Sequence, residues 1–234
     1  LCKQKYLIMR YLERIADGML KIRLEAFGAV QIVGPKWCGK TTTALQQAKS
    51  VIKMQDPDKR DGYLATARTK PSLLLKGDTP HLIDEWQVAP VLWDSVRNVV
   101  DERNLKGQFI LTGSTVVEDK YGEVMHTGTG RISKMTMYPM SLFESKESTG
   151  TISLRTLFDD SSYDIDGEQS DMTVERLIFA ACRGGWPASL DVASEEAQLL
   201  IAQDYVNVIC DEDISRVDGV RRQSTLARLI LRSY

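Results

Sequence analysis

Short apolar runs punctuate the first half of the chain at intervals that suit a buried sheet. Gly28–Val33 (GAVQIV), His81–Ile83 with Asp84, and Gln108–Thr112 (QFILT) are each closed by glycine or by acidic residues, and Ser50–Met54 either continues a helix from Lys40 or, as Asp56-Pro57 closing it favours, forms a further strand. Runs this short, apolar without alternation, are those of strands covered on both faces. Ile132–Tyr138 predicts one further strand. Between them the period changes to that of helices. Tyr6–Leu24 carries apolar residues at Leu7, Ile8, Tyr11, Leu12, Ile15, Met19 and Ile22, and Val91–Arg103 carries a stripe at Leu92, Val96, Val99 and Val100. A helix also follows Lys40 to about Ala48, and Lys59–Pro80 reads as a helical and loop connection. Ser141–Glu144 has the Ser-x-x-Glu form of a capping box, which predicts a helix starting there.

From Glu147 to Asp171 the chain turns to Ser, Asp, Gly and Thr, and beyond it only helical patterns occur: Met172–Arg183, Glu195–Asp211 and Gln223–Arg232. Strands alternating with helices, then helices alone, predict an α/β domain with a parallel β-sheet sandwiched by helices, followed by a smaller helical domain. The boundaries expected are 1–146 for the first domain, 147–171 for a linker or surface excursion, and 172–234 for the helical domain. Asp164–Gly167 has the look of a calcium loop, but counting from Gly167 as the sixth position puts Thr173 where a bidentate carboxylate is needed. It reads as a solvated acidic loop. The chain begins at Leu1 and stops at Tyr234 inside an apolar periodic pattern, as expected of a piece of something longer.

Composition narrows the class. With 43% hydrophobic and 26% charged residues, the 234-residue chain has enough apolar material for a packed core. A net charge of -2 argues against a chain built chiefly to neutralise nucleic-acid phosphates. The basic residues Arg216, Arg221, Arg222 and Arg228 read more simply as a solvated helix face than as a DNA-binding surface. Cys2, Cys38, Cys182 and Cys210 are scattered, with no Cys-x-x-Cys pair, so neither a zinc site nor a disulfide framework is encoded. Reduced thiols in a cytoplasmic protein are the plain reading. No apolar run approaches the roughly 20 residues that span a bilayer, so no membrane association is expected.

The strongest chemical signal is Gly34-Pro35-Lys36-Trp37-Cys38-Gly39-Lys40-Thr41, followed by Thr42. It matches the phosphate-loop pattern G-x-x-x-x-G-K-[ST] in full, between an apolar strand and a helix. Glycines let backbone N–H groups close on phosphate oxygens, and the following helix turns its positive end toward the same anion. Lys40 is expected on the β- and γ-phosphates, and the Thr41 hydroxyl on Mg²⁺. A random chain of this length yields the pattern on the order of once in a hundred. Cys38 lies within the loop, where a bound nucleotide would shield it from alkylation.

His81-Leu82-Ile83-Asp84-Glu85 is an apolar strand ending in two carboxylates. After a phosphate loop, Asp84 is the expected Mg²⁺ carboxylate and Glu85 the base that orients the attacking water. Phe109–Ser114 resembles the strand that lies between the other two in many P-loop ATPases, where a polar residue at the strand end contacts the γ-phosphate or the attacking water, a role the resemblance gives to Thr112 or Ser114. Arg131, after Thr127-Gly128-Thr129-Gly130, is a candidate for stabilising charge in transfer, worth ~10³–10⁵ in rate where such an arginine acts.

Taken together these residues resemble a family of prokaryotic AAA-type ATPases, in which an N-terminal P-loop domain is joined to a C-terminal region of unknown function sometimes likened to a restriction-nuclease fold. The resemblance rests on Tyr11–Asp17 (YLERIAD), Phe27–Val30, the loop itself, Leu82–Gln87 with Pro90, and Phe109–Ser114. Gly130–Ile132, Pro139–Leu142 and Gly184–Pro187 complete it. It implies a five-stranded parallel P-loop core, ATP as the nucleotide, a helical domain after the linker, and the family's C-terminal region beyond Tyr234, with at most its beginning in this chain. Two functions fit these residues: an ATPase hydrolysing Mg·ATP, and a nucleotide-gated switch with little turnover that moves the helical domain. Either would act on a protein or nucleic-acid partner, with self-association left open. No Arg-rich lid suits a small-molecule kinase, and no Asn-Lys-x-Asp segment reads guanine.

Overall fold

Five apolar segments pair in one parallel sheet. In the computed structural model, which describes residues 11–113 and 128–210, these are β1 (Ala29–Val33), β2 (Ser50–Lys53), β3 (His81–Asp84), β4 (Phe109–Thr112) and β5 (Ile132–Thr136). The strand order is β2-β3-β4-β1-β5, and every pairing is parallel. β4 therefore lies between β1 and β3. Alternation of side chains across the pleat gives the sheet two apolar faces. Ala29, Ile83, Phe109 and Leu111 face one way with Leu74, Leu75, Leu92 and Val96; Val30, Ile32, Leu82 and Ile110 face the other way with Leu20, Leu24 and Ala44.

The helices between the strands fill those two layers. α1 (Ile15–Ala26) and α2 (Lys40–Gln47) cover one face, and α3 (Arg60–Thr69) and α4 (Val91–Arg103) the other. This is the α/β arrangement of a P-loop NTPase. The expected helix from Tyr6 to Leu24 is corrected here. Tyr11–Arg14 is not helical, α1 starts at Ile15, and residues before Tyr11 lie outside those described. The Asp17 carboxylate accepts the Arg14 backbone N–H at 2.7 Å, which fixes the first turn. The face turned inward is Ala16, Leu20 and Leu24, while Ile15, Met19 and Ile22 of the expected stripe are exposed. A one-residue offset rotates a helix by about 100°, enough to carry the expected stripe off the buried face.

Cα packing divides the chain into two units, one spanning Arg10–Met140, the other containing residues 141–210 of those described. In the second unit the Ser141 box forms, with the Ser141 N–H to Glu144 Oε2 at 2.8 Å and the Glu144 N–H to Ser141 Oγ at 3.3 Å. No helix grows from it. A left-handed residue at Lys146 (φ 64) ends the turn, and the Glu147 N–H returns to the Leu142 carbonyl at 2.9 Å. The polar stretch contains a short helix, α5 (Leu154–Asp159), and Asp164 accepts the Asp166 N–H at 2.9 Å in a local turn. α6 (Val174–Arg183), α7 (Pro187–Leu190) and α8 (Glu195–Val208) follow. The expected helix Gln223–Arg232 and the arginines at 216, 221, 222 and 228 lie outside the described residues. Among the described residues no helix is long and apolar enough to cross a membrane.

One ion pair braces the second unit. Arg183 is buried and forks onto Glu147, Nη1 to Oε1 at 2.8 Å and Nη2 to Oε2 at 2.6 Å. The Arg183 hydrogen bonds hold the Glu147 carboxyl below the ordinary glutamate range, with the Ser145 hydroxyl assisting. A carboxyl with a depressed folded-state pKa contributes stability in full above its unfolded value and loses it as pH falls through the folded one. Thermal melts of the second unit should therefore lose stability progressively below about pH 4.3. Glu147→Gln should flatten that acid limb and cost on the order of 2 kcal/mol at neutral pH, because the Arg183 charge stays buried without its counter-ion. An unchanged acid limb in the variant would contradict this role.

Candidate functional site

Register brings the chemistry of three strands to one edge. Ile32 of β1 pairs with Thr112 of β4, and Thr112 pairs with Asp84 of β3, so both polar groups stand level with Ile32, two residues below Gly34. Open parallel sheets bind ligands beyond the carboxyl ends of their strands. Here that edge holds the Gly34–Thr41 loop, the Asp84 carboxylate and the Thr112 hydroxyl.

The loop takes the shape its residue types allow. Trp37 (φ 62) and Gly39 (φ 98) both adopt left-handed backbone, the alternation that turns successive N–H groups into one concavity. Gly34 is obligatory for a second reason: a Cβ there would stand 2.1 Å from the Met137 carbonyl oxygen. α2 begins at Lys40, so its first N–H groups face the same space. The Lys40 side chain is buried and folded back on the loop, its Nζ donating to the Gly34 carbonyl at 3.0 Å and the Pro35 carbonyl at 2.8 Å. The ammonium is thus held by two neutral acceptors of the loop itself. Thr42 is exposed on the outer side of α2, and Trp37 is exposed at the tip of the loop.

Asp84 joins the loop to the neighbouring strand. Its Oδ1 accepts the Thr41 hydroxyl at 2.6 Å and the Thr112 hydroxyl at 2.6 Å. The expected metal pair, Thr41 and Asp84, is therefore in direct contact, and Thr112 lies beside it. Ser114, the alternative to Thr112, lies outside the described residues.

Glu85 follows directly on β3 in left-handed backbone (φ 57, ψ 47), a strained conformation for a non-glycine residue of the kind that collects at functional sites. Its carboxylate accepts from the Gln87 side-chain amide. Gln87 in turn packs on Gly113 at the end of β4, where a Cβ would stand 2.2 Å from its Oε1. Gln87 was not singled out for a role from sequence. The signal available was its place two residues after a strand-ending glutamate.

Two expectations fail on geometry. Arg131 immediately precedes β5, whose first residue pairs with Ala29, and the Arg131 carbonyl accepts the Ala29 N–H at 3.1 Å. That is the amino edge of the sheet, about 16 Å from Gly34 at about 3.3 Å per strand residue. Its guanidinium pairs with Asp101 of α4 at 2.7 Å. Within this chain the structure does not bring Arg131 to the loop. Cys38 is fully buried, with Sγ 3.8 Å from the Met137 carbonyl oxygen, and burial pushes its thiol pKa up. It is shielded from alkylation with or without nucleotide, so it does not serve as a reporter of occupancy.

No curated protein matches the sequence. Residues 174–233 match a family described only as a domain of unknown function. A Walker-type ATPase of Pyrococcus abyssi is among the similar solved structures, at 14% identity and a TM-score of 0.47, covering 95% of this chain and 77% of that one. Residues 26–146, more than half of the sequence, match the family described as an AAA domain, a segment that contains all five strands and the whole phosphate loop. The chain belongs to the AAA domain family of P-loop NTPases.

Proposed function

We propose that the protein binds ATP with Mg²⁺ at the Gly34–Thr41 loop and hydrolyses it. The observation that carries this reading is the meeting of the Thr41 and Thr112 hydroxyls on one Asp84 carboxylate oxygen, at the foot of a loop that holds the buried Lys40 ammonium. A polyanion suits the site, because a nest of backbone N–H groups, a helix N-terminus and an ammonium all favour negative charge.

The residues fit a magnesium ion. Mg²⁺ takes one or two protein oxygens and fills its remaining positions with water and phosphate oxygens. The Thr41 hydroxyl and the Asp84 carboxylate, now hydrogen-bonded to each other, would hold it. When bound, such an ion neutralises charge developing on the β- and γ-phosphates. The chain's own groups do the remaining work. Lys40 exchanges its two carbonyl partners for phosphate oxygens, and its charge is worth most where it meets the transferring phosphoryl group. Thr112 orients the Asp84 carboxylate. Glu85 would orient the attacking water and accept its proton.

The hydrogen bond from Gln87 to Glu85 favours a second reading beside the first. A carboxylate oxygen committed to an amide is not open to the water until released, which suits a nucleotide-gated switch with slow turnover. Arg131, at the far edge of the sheet, has no place in the reaction within one chain. The free thiols Cys38, Cys182 and Cys210 suit a reducing compartment such as the cytoplasm. The partner, a protein or a nucleic acid, and any self-association would involve surfaces beyond the phosphate site.

Lys40→Ala should weaken Mg·ATP binding about 100-fold, the equivalent of two charge-assisted hydrogen bonds, with the far-ultraviolet circular dichroism unchanged. Calorimetric affinity equal to that of the parent would contradict the assignment. Glu85→Gln should retain affinity while kcat for phosphate release falls by about 10²–10⁴. Negligible turnover in both parent and variant would instead select the switch.

A further inference from the structure

We propose that Arg14 is a positioning residue for triphosphate binding, a strap that locks the Cys38–Gly39 peptide with its N–H toward the anion. The inference rests on the phosphate-site reading above. Arg14 stands immediately before α1, outside the matched segment 26–146, and its side chain is buried. Its guanidinium forks onto two backbone carbonyls: Nη1 donates to Cys38 O at 2.9 Å and Nη2 to Tyr138 O at 2.9 Å.

The consequence follows from peptide geometry. In a planar trans peptide the C=O and the next N–H point in opposite directions. Holding the Cys38 carbonyl outward therefore holds the Gly39 N–H inward. Gly39 needs such a constraint, because glycine crosses φ space at little cost and a flipped peptide would present an oxygen to the phosphate. The second arm fixes the fork to a rigid base. Met137 continues β5, its N–H donating to Val33 O at 2.8 Å, and the same residue backs Gly34 and Cys38.

The strap is itself anchored. Asp17 accepts the Arg14 backbone N–H at 2.7 Å and the Tyr11 hydroxyl at 2.7 and 2.9 Å. The Tyr11 oxygen lies 3.0 Å from the hydroxyl of Thr43, a fully buried residue of α2. Tyr11 stays a phenol at any physiological pH, since burial raises its pKa and the Asp17 carboxylate adds to the rise. Tyr11–Asp17 thus holds both the loop and the helix that follows it. Arginine suits the position because its planar fork reaches two acceptors at fixed spacing; an ammonium is a single point.

The test is steady-state ATP hydrolysis and calorimetric Mg·ATP binding for the whole chain, the parent beside Arg14→Gln and Arg14→Lys. Arg14→Gln should raise KM and Kd about tenfold or more, with kcat within about twofold, the pattern of a lost uniform binding contribution. Arg14→Lys, with one carbonyl still in reach, should raise Kd about threefold and guards against a Gln variant that fails to fold. A purely structural role would lower the melting temperature and leave the affinity of the folded protein unchanged. Unchanged affinity in either folded variant overturns the proposal. A parent that binds no Mg·ATP would instead remove the phosphate-site reading itself, a failure visible before any variant is made.

Discussion

A single carboxylate oxygen ties together the ends of three strands. Asp84 Oδ1 takes one hydroxyl from the helix that follows β1 and another from the last residue of β4. This is achievable only because β1, β4 and β3 are neighbours, parallel and in register, so that their carboxyl ends coincide. Two antiparallel neighbours would send one of those groups to the opposite edge. The apolar faces of the sheet set this register, since a one-residue slip would turn Ile83, Phe109 and Leu111 out of one layer and into the other.

The parts of the molecule legible in the sequence are those where one residue type has one physical use. Buried parallel strands leave unbroken apolar runs, and β1, β3 and β4 were visible that way, whereas the half-exposed Ser50 segment was marked by the Asp56-Pro57 that closes it. The phosphate loop was visible because left-handed backbone and close approach both demand glycine at fixed spacing. What escaped was whatever depended on which end of an element a residue occupies. Arg131 sits in a Gly-rich stretch before a strand, and in an all-parallel sheet such a stretch lies at the amino edge, opposite the phosphate loop. The chain order contained that information, but the apparent suitability of an arginine near glycines outweighed it.

Residues that act by holding another group were also hidden. Arg14 and Gln87 serve by holding another group in place: Arg14 the Cys38 carbonyl, Gln87 the Glu85 carboxylate. No spacing rule announces such contacts, because the partner is brought near by the fold. The Ser141 box shows the converse limit. Its two reciprocal hydrogen bonds form as the local sequence dictates, yet a left-handed Lys146 ends the turn before a helix can propagate. A cap satisfies the first N–H groups of a helix; continuation still requires a favourable backbone.

The account depends on Lys40 leaving its own loop for a phosphate, since the amide nest and the Asp84 cluster have no shared purpose without a polyanion between them. The most direct measurement is a crystal structure of the chain with Mg²⁺ and a slowly hydrolysed ATP analogue. The account predicts the β-phosphate against the backbone N–H groups of Gly39 and Lys40, with Lys40 Nζ moved from the Gly34 and Pro35 carbonyls onto phosphate oxygens. An analogue bound elsewhere, with Lys40 still on those two carbonyls, would contradict it.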